Sequence, residues 1–120
     1  FSAPKRKRSK NLILISGLHS LYLKSLVDEI DKSFYLMMDE KLRVSLKMKR
    51  DLNRGRSSDY TLNEIKKREK DSEKYILPQS ERADVIFNIL PVNPDDIDNK
   101  APDEIKLKLR VFIKNLLYLF

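Results

Sequence analysis

The chain has 120 residues, 41% of them apolar, and a formal net charge of +7. That length holds one domain, the apolar share excludes disorder by composition, and the charge favours anionic partners: nucleotides, phosphorylated metabolites or nucleic acid. The absence of cysteine excludes disulfide and thiol chemistry, the single histidine excludes a multi-histidine metal site, and no apolar run reaches the roughly 18 residues of a membrane span.

The chain opens on Phe1 rather than Met and shows no signal-peptide pattern, so it is expected to be a piece of a longer protein of the reducing cytoplasm. Residues 1–10, FSAPKRKRSK, are polar and basic. They read as a solvated connector, with a nuclear address or a nucleic-acid patch as the other reading. Leu12 to Ile15 is an unbroken apolar run bounded by Lys10 and Gly17, the pattern of a strand buried on both faces of a parallel sheet. Gly17 lets the backbone turn where that strand ends. Ligands of open α/β sheets bind outside the C-terminal ends of the strands, which makes Ser16, Gly17, Leu18 and His19 a candidate site by position. The plain alternative for His19 is a lone surface histidine.

Ser20 to Ile30 reads as a short amphipathic helix and Ser33 to Met38 as a second strand. Asp39 suits the N-cap of the next helix, with Glu40 favourable in its first turn. That helix runs to Gly55, where a left-handed residue is cheap. Along it Arg43, Lys47, Arg50 and Arg54 fall within an arc of roughly 60°, with Asp51 beside them. Leu42, Val44, Leu46, Met48 and Leu52 form a broad apolar arc on the other side. Like charges one turn apart weaken a helix by about 0.2–0.5 kcal/mol per pair, so an anion against the stripe would explain it. A solvated face in a basic protein is the competing reading.

Arg56 to Tyr60 is a polar loop. Thr61 with Glu64 three residues on is the signature of a capping box, opening a helix through about Ser72. Its thin apolar stripe and dense charge suit a mobile lid, or an ordinary solvated helix. Pro78 is expected to end that segment. Ala83 to Leu90 is a third strand and Pro91 to Pro102 an acidic loop. From Ile105 to Val111 apolar residues alternate with Lys106, Lys108 and Arg110, the period of a half-exposed antiparallel edge strand, followed by the apolar tail FIKNLLYLF. The order of strands and helices is α/β. No repeat and no low-complexity tract is present.

Four pieces in order carry a resemblance: ISGLHSLY, then KMKRDLNRG holding Lys47, Arg50, Asp51, Arg54 and Gly55, then KREKDSEKYILPQ, then ADVIF. From about Lys10 to Leu90 the chain resembles the second half of the phosphoribulokinase and uridine kinase family. The resemblance implies a partial P-loop kinase fold with a mostly parallel sheet, a lid at about residues 54–78 and an antiparallel C-terminal strand, all in a single partial domain over 1–120. It implies ATP and magnesium as cofactors, and phosphoryl transfer from ATP to a hydroxyl of a sugar phosphate or nucleoside, catalysed by positioning and charge neutralisation. Lys47 and Arg50 would face the transferring phosphate or the acceptor, and Arg54 and Arg56 would close over ATP. Asp51 would orient the arginines, or simply pair with Lys47. Gly17 and His19 would contact the acceptor.

Two departures stand out. There is no GxxxxGK[ST], and the only glycines are Gly17 and Gly55, so the phosphate-cradling loop is expected upstream of Phe1 and the isolated chain is expected to be inactive. Where phosphoribulokinases usually carry a glutamate near the metal, this chain has Ser16, whose hydroxyl ligates magnesium only weakly. That substitution motivates a second reading, a catalytically inactive binding or regulatory subunit. A nucleic-acid-binding module is disfavoured, because no aromatic platform interleaves with the basic residues. A membrane partner is not expected, and a homo-oligomer is left open.

Overall fold

The computed structural model describes residues 3–6, 8 and 10–114. It is an α/β structure whose centre is a three-stranded mixed sheet. The elements are α1 (Lys24–Val27), β1 (Phe34–Met38), α2 (Glu40–Asn53), α3 (Ser58–Asp71), a π turn (Ser72–Ile76), a 3₁₀ segment (Leu77–Arg82), β2 (Val85–Pro91), α4 (Asp96–Asn99), a 3₁₀ turn (Pro102–Glu104) and β3 (Leu107–Ile113). The sheet order is β1-β2-β3, with β1 and β2 parallel and β2 and β3 antiparallel. The parallel pair requires a crossover, which α2 and α3 supply.

The registers Phe34↔Val85, Leu36↔Phe87 and Met38↔Ile89, continued by Ile113, Val111 and Leu109 of β3, place nine apolar side chains on one face. At the end of that face Met38 and Ile89 pack, with Leu46, against a core of Leu42, Ile97 and Ile105, and Leu42 is fully buried. Burying one such leucine contributes about 1.5–3 kcal/mol. Towards its other end the face is open: Phe34, Leu36, Val111 and Ile113 are 53, 67, 46 and 43% exposed. On the opposite face the Tyr35 hydroxyl donates to the Ile76 carbonyl at 3.2 Å, anchoring the π turn.

Several expectations are corrected. Leu12 to Ile15 is no strand: none of it pairs, and Leu12 and Leu14 are 85 and 87% exposed. An apolar run becomes a strand only when a neighbour takes its N–H and C=O groups, and none among the described residues does. The helix expected over 20–30 contracts to the single turn of α1, whose N-cap Leu23 offers no side-chain acceptor. Thr61 does not open α3. Ser57 caps it instead, accepting from the Tyr60 N–H at 3.1 Å, so the helix begins one turn earlier. Pro78 does not stop the chain's helical path but sits in the first turn of the 3₁₀ segment, where its missing N–H costs nothing. The acidic loop contains α4, and every residue of β3 is exposed rather than every second one. Asp39 does cap α2, accepting from the Leu42 N–H at 2.9 Å, and Gly55 takes φ 79°. The end of the apolar tail, Asn115 to Phe120, lies outside the described residues, as do Lys7 and Ser9 of the basic stretch.

Candidate functional site

The corner between α2 and α3 is built around one carboxylate. Gly55 turns the chain, and the N–H groups of Arg54 and Arg56 both donate to the Asp51 carbonyl, at 3.1 and 2.9 Å. The Asp51 side chain is then only 1% exposed. Its Oδ2 accepts from Thr61 Oγ1 at 3.1 Å, and Thr61 is itself fully buried. Its Oδ1 accepts from Arg50 Nε at 3.3 Å and lies 3.9 Å from Arg56 Nη1. Burial pushes the Asp51 carboxyl up. The hydrogen bonds from Thr61 and Arg50 and the charges of Arg50 and Arg56 outweigh it, so the net shift is downward and the group stays ionised.

The cationic stripe divides into two kinds of residue. Arg43 is neutralised by Glu40 at 2.6 Å and Arg50 by Asp51. Lys47, half-buried, and Arg54, exposed at the C-cap of α2, have no side-chain partner among the described residues. The i,i+4 pair between Lys47 and Asp51 does not form. Arg56 lies with its guanidinium carbon 5.4 Å from the centre of the Tyr60 ring, an arrangement that leaves its edge N–H groups open to an anion.

Gly17, Leu18 and His19 lie in a second cluster. The Gly17 carbonyl accepts from the Ser20 hydroxyl at 2.9 Å, and the Tyr22 N–H donates to the His19 carbonyl at 3.1 Å. This turn is held by a residue that sequence reasoning passed over. Gln79, 4% exposed, accepts from the Leu21 N–H at 3.0 Å through Oε1 and donates through Nε2 to the carbonyls of Leu18 and Tyr75 at 3.1 and 2.8 Å. Arg82 Nη1 donates to the carbonyls of Leu21, at 3.0 Å, and Tyr22. The signal for Gln79 was present in KYILPQ, but nothing local shows what it grips. Beside it Tyr22 packs edge-on between His19 and Tyr75, and a hollow of about 230 Å³ is lined by Tyr22, Lys74, Tyr75, Gln79 and Arg82 among others.

No hydrogen bond, ion pair or ring contact joins this turn to Lys47 or Arg54 among the described residues. Ser16 is exposed, and no group of three or more His, Asp or Glu suited to a metal ion occurs among the described residues. A larger open groove of about 660 Å³ runs between α2 and α4, but its cations are committed. Lys41 pairs with Asp98 at 2.8 Å, and Lys49 caps the carbonyls of Ile97 and Lys100 at 3.1 and 2.8 Å. No helix among the described residues is long and apolar enough to cross a membrane.

The described residues thus form an α/β structure in which α2 ends at the unpaired Arg54 and a highly charged helix, α3, follows it. The model of the phosphoribulokinase / uridine kinase family matches residues 2–95. The chain belongs to that family. It is 34% identical over 97 residues to the chloroplastic phosphoribulokinase of Chlamydomonas reinhardtii, covering 78% of this chain and 26% of that protein. Against the chloroplastic phosphoribulokinase of Spinacia oleracea it is 31% identical over 126 residues, covering 98% and 30%. Uridine-cytidine kinase A of Dictyostelium discoideum is 32% identical over 104 residues, covering 83% and 20%. The chain therefore spans about a third or less of the length of these relatives.

Proposed function

We propose that the chain is part of an ATP-dependent kinase that passes the terminal phosphoryl group of ATP to a hydroxyl of a sugar phosphate or nucleoside. The observation that carries this reading is the exposed, unpaired Arg54 guanidinium, set between Arg50 and Arg56, which a buried carboxylate holds. At the C-cap of α2 that cation gains only about 0.3–1 kcal/mol from the helix dipole, whereas a phosphate would meet it as a direct charged partner. In this reading Lys47 and Arg54 face phosphate oxygens, Arg56 joins them over ATP, and Asp51 acts through the arginines. At 1% exposure its carboxylate has no access to substrate. The turn at Gly17 and His19, fixed by Gln79, would offer the acceptor its contacts. The lone Ser16 hydroxyl does not make a magnesium site from this chain's residues, and no step is assigned through that metal. Assayed alone with ATP and uridine or ribulose 5-phosphate, the 120-residue chain should turn over neither.

The test compares Arg54→Ala with Lys66→Ala in the full-length protein. Both remove one cation from an exposed position, so net charge changes identically. Losing a donor to developing phosphoryl charge costs about 2.7–4 kcal/mol of transition-state stabilisation, about a hundredfold or more in kcat/KM. Losing Lys66 costs almost nothing. Equal losses in two variants that retain the wild-type circular dichroism would mean that the stripe is only a solvated face. Undiminished ATP binding with no turnover in the wild type would favour the inactive binding subunit that Ser16 suggests.

A further inference from the structure

We infer that Thr61 is a positioning residue of the phosphate site: its buried hydroxyl fixes the Asp51 carboxylate so that the other oxygen faces Arg50 and Arg56. The inference rests on the reading of that corner as a phosphate site and adds to it a residue on the opposite helix. Thr61 reads as a helix cap in the sequence, yet Ser57 takes that role. The threonine is turned inward with no exposure.

The geometry leaves its hydroxyl two acceptors, Asp51 Oδ2 at 3.1 Å and the Ser57 carbonyl at 3.3 Å. A hydroxyl has one proton to donate. The shorter and charge-assisted bond, to the carboxylate, takes it, and the Ser57 carbonyl is already served by the Thr61 N–H at 3.2 Å. Among the described residues Oδ2 has no other hydrogen-bond donor, so removing the hydroxyl frees the carboxylate to rotate about its last bond. Arg50, which donates to Oδ1, and Arg56, 3.9 Å from it, then lose their common reference. Ten residues and a helix boundary separate Thr61 from Asp51. The bond therefore also sets the angle at which α3 leaves α2, and with it the height of Arg56 above Arg54.

The experiment uses the full-length protein with ATP and its best phosphate acceptor. Thr61→Val keeps the shape and removes the hydroxyl, and Thr61→Ser restores the hydroxyl without the methyl group. The expected result is a fall in kcat of about 10- to 100-fold for Thr61→Val, the scale on which partners that orient a reacting group act. KM for ATP should stay within about twofold, since the loss falls on the transition state, and Thr61→Ser should recover most of the rate. Full activity in folded Thr61→Val overturns the inference. So does an equal loss in Thr61→Ser, which would show that a hydroxyl at this position does not by itself sustain the rate. If Thr61→Val fails to fold, Thr61→Ala replaces it, and failure of both shows that the hydroxyl serves folding rather than positioning. A wild-type protein with no phosphotransfer overturns the kinase reading itself, whereas an active wild type matched by Thr61→Val overturns this inference alone.

Discussion

Gln79→Ala tests whether one buried amide holds the turn that carries Gly17 and His19. Three hydrogen bonds end on that side chain, reaching Leu21, Leu18 and Tyr75. Leu18 is 69% exposed, so its carbonyl finds water in the variant, but Leu21 is 6% exposed and its N–H does not. A typical bond contributes about 0.5–1.5 kcal/mol net, and a buried donor left unmade costs about 1–3 kcal/mol. The sum is about 2–4 kcal/mol, or a fall in melting temperature on the order of 10 °C for a chain of this size. Gln79→Glu keeps the length but turns a second oxygen toward the carbonyls of Leu18 and Tyr75, so at neutral pH it should melt no higher than the alanine variant. The functional consequence falls on the acceptor: if about 1.4 kcal/mol of the lost order must be regained on binding, its KM rises about tenfold, with KM for ATP unchanged. Thermal melts followed by circular dichroism, and steady-state kinetics in the full-length protein, read both effects. Both variants melting within about 2 °C of wild type, or a rise in KM for ATP instead, would refute the reasoning.

Two further outcomes follow from the same geometry. The Asp51 carboxyl is held below its ordinary value of 3.8, so its contribution to stability is complete above that value and is lost as pH falls through the lower folded value. Glu40, lowered chiefly by its hydrogen bond from Arg43, acts in the same direction. A melting temperature that is flat down to about pH 5 and then falls is expected, with a shallower fall in Asp51→Asn; a wild-type fall centred near neutral pH would contradict the assignment. The open face of the sheet predicts that the 120-residue chain self-associates. Leu36→Lys combined with Val111→Lys should shift its sedimentation toward monomer, and a wild-type chain that is monodisperse and monomeric with a sharp melt would count against it.

What was legible in the sequence was what local chemistry decides. Asp39 and Gly55 mark the ends of α2 because a cap and a left-handed turn are settled within a few residues. Ser33 to Met38 was legible as a strand, and the alternation from Ile105 to Val111 pointed to an antiparallel neighbour, although every residue of β3 is exposed. Several of the misreadings turned on a partner that the local pattern did not show. Leu12 to Ile15 has the composition of a buried strand, but composition cannot report whether a neighbouring strand is present. Thr61 satisfies the pattern of a capping box, yet a serine four residues earlier took the cap and a carboxylate ten residues earlier took the hydroxyl. Gln79 stood in plain view, but its partners Leu18 and Leu21 lie 61 and 58 residues away.

The stripe on α2 shows how structure separates cations that a sequence presents as equals. Four like charges on one face repel, at about 0.2–0.5 kcal/mol per adjacent pair in an isolated helix. Glu40 and Asp51 relieve that repulsion at Arg43 and Arg50, and both arginines are thereby committed. Lys47 and Arg54 are not relieved, although a single acidic residue at Asn53 or Ser57 would have placed a counter-charge beside Arg54. They stand seven residues apart, about 10.5 Å along the helix, on the same side and without a partner among the described residues. Side chains that long can converge on one anion or reach two neighbouring phosphoryl groups. A folding requirement would have neutralised all four positions or none. Arg43 is paired with Glu40 at the surface and Arg50 with the buried Asp51, which leaves Lys47 and Arg54 as the two positions of the stripe where an anion from solution would find an uncommitted cation.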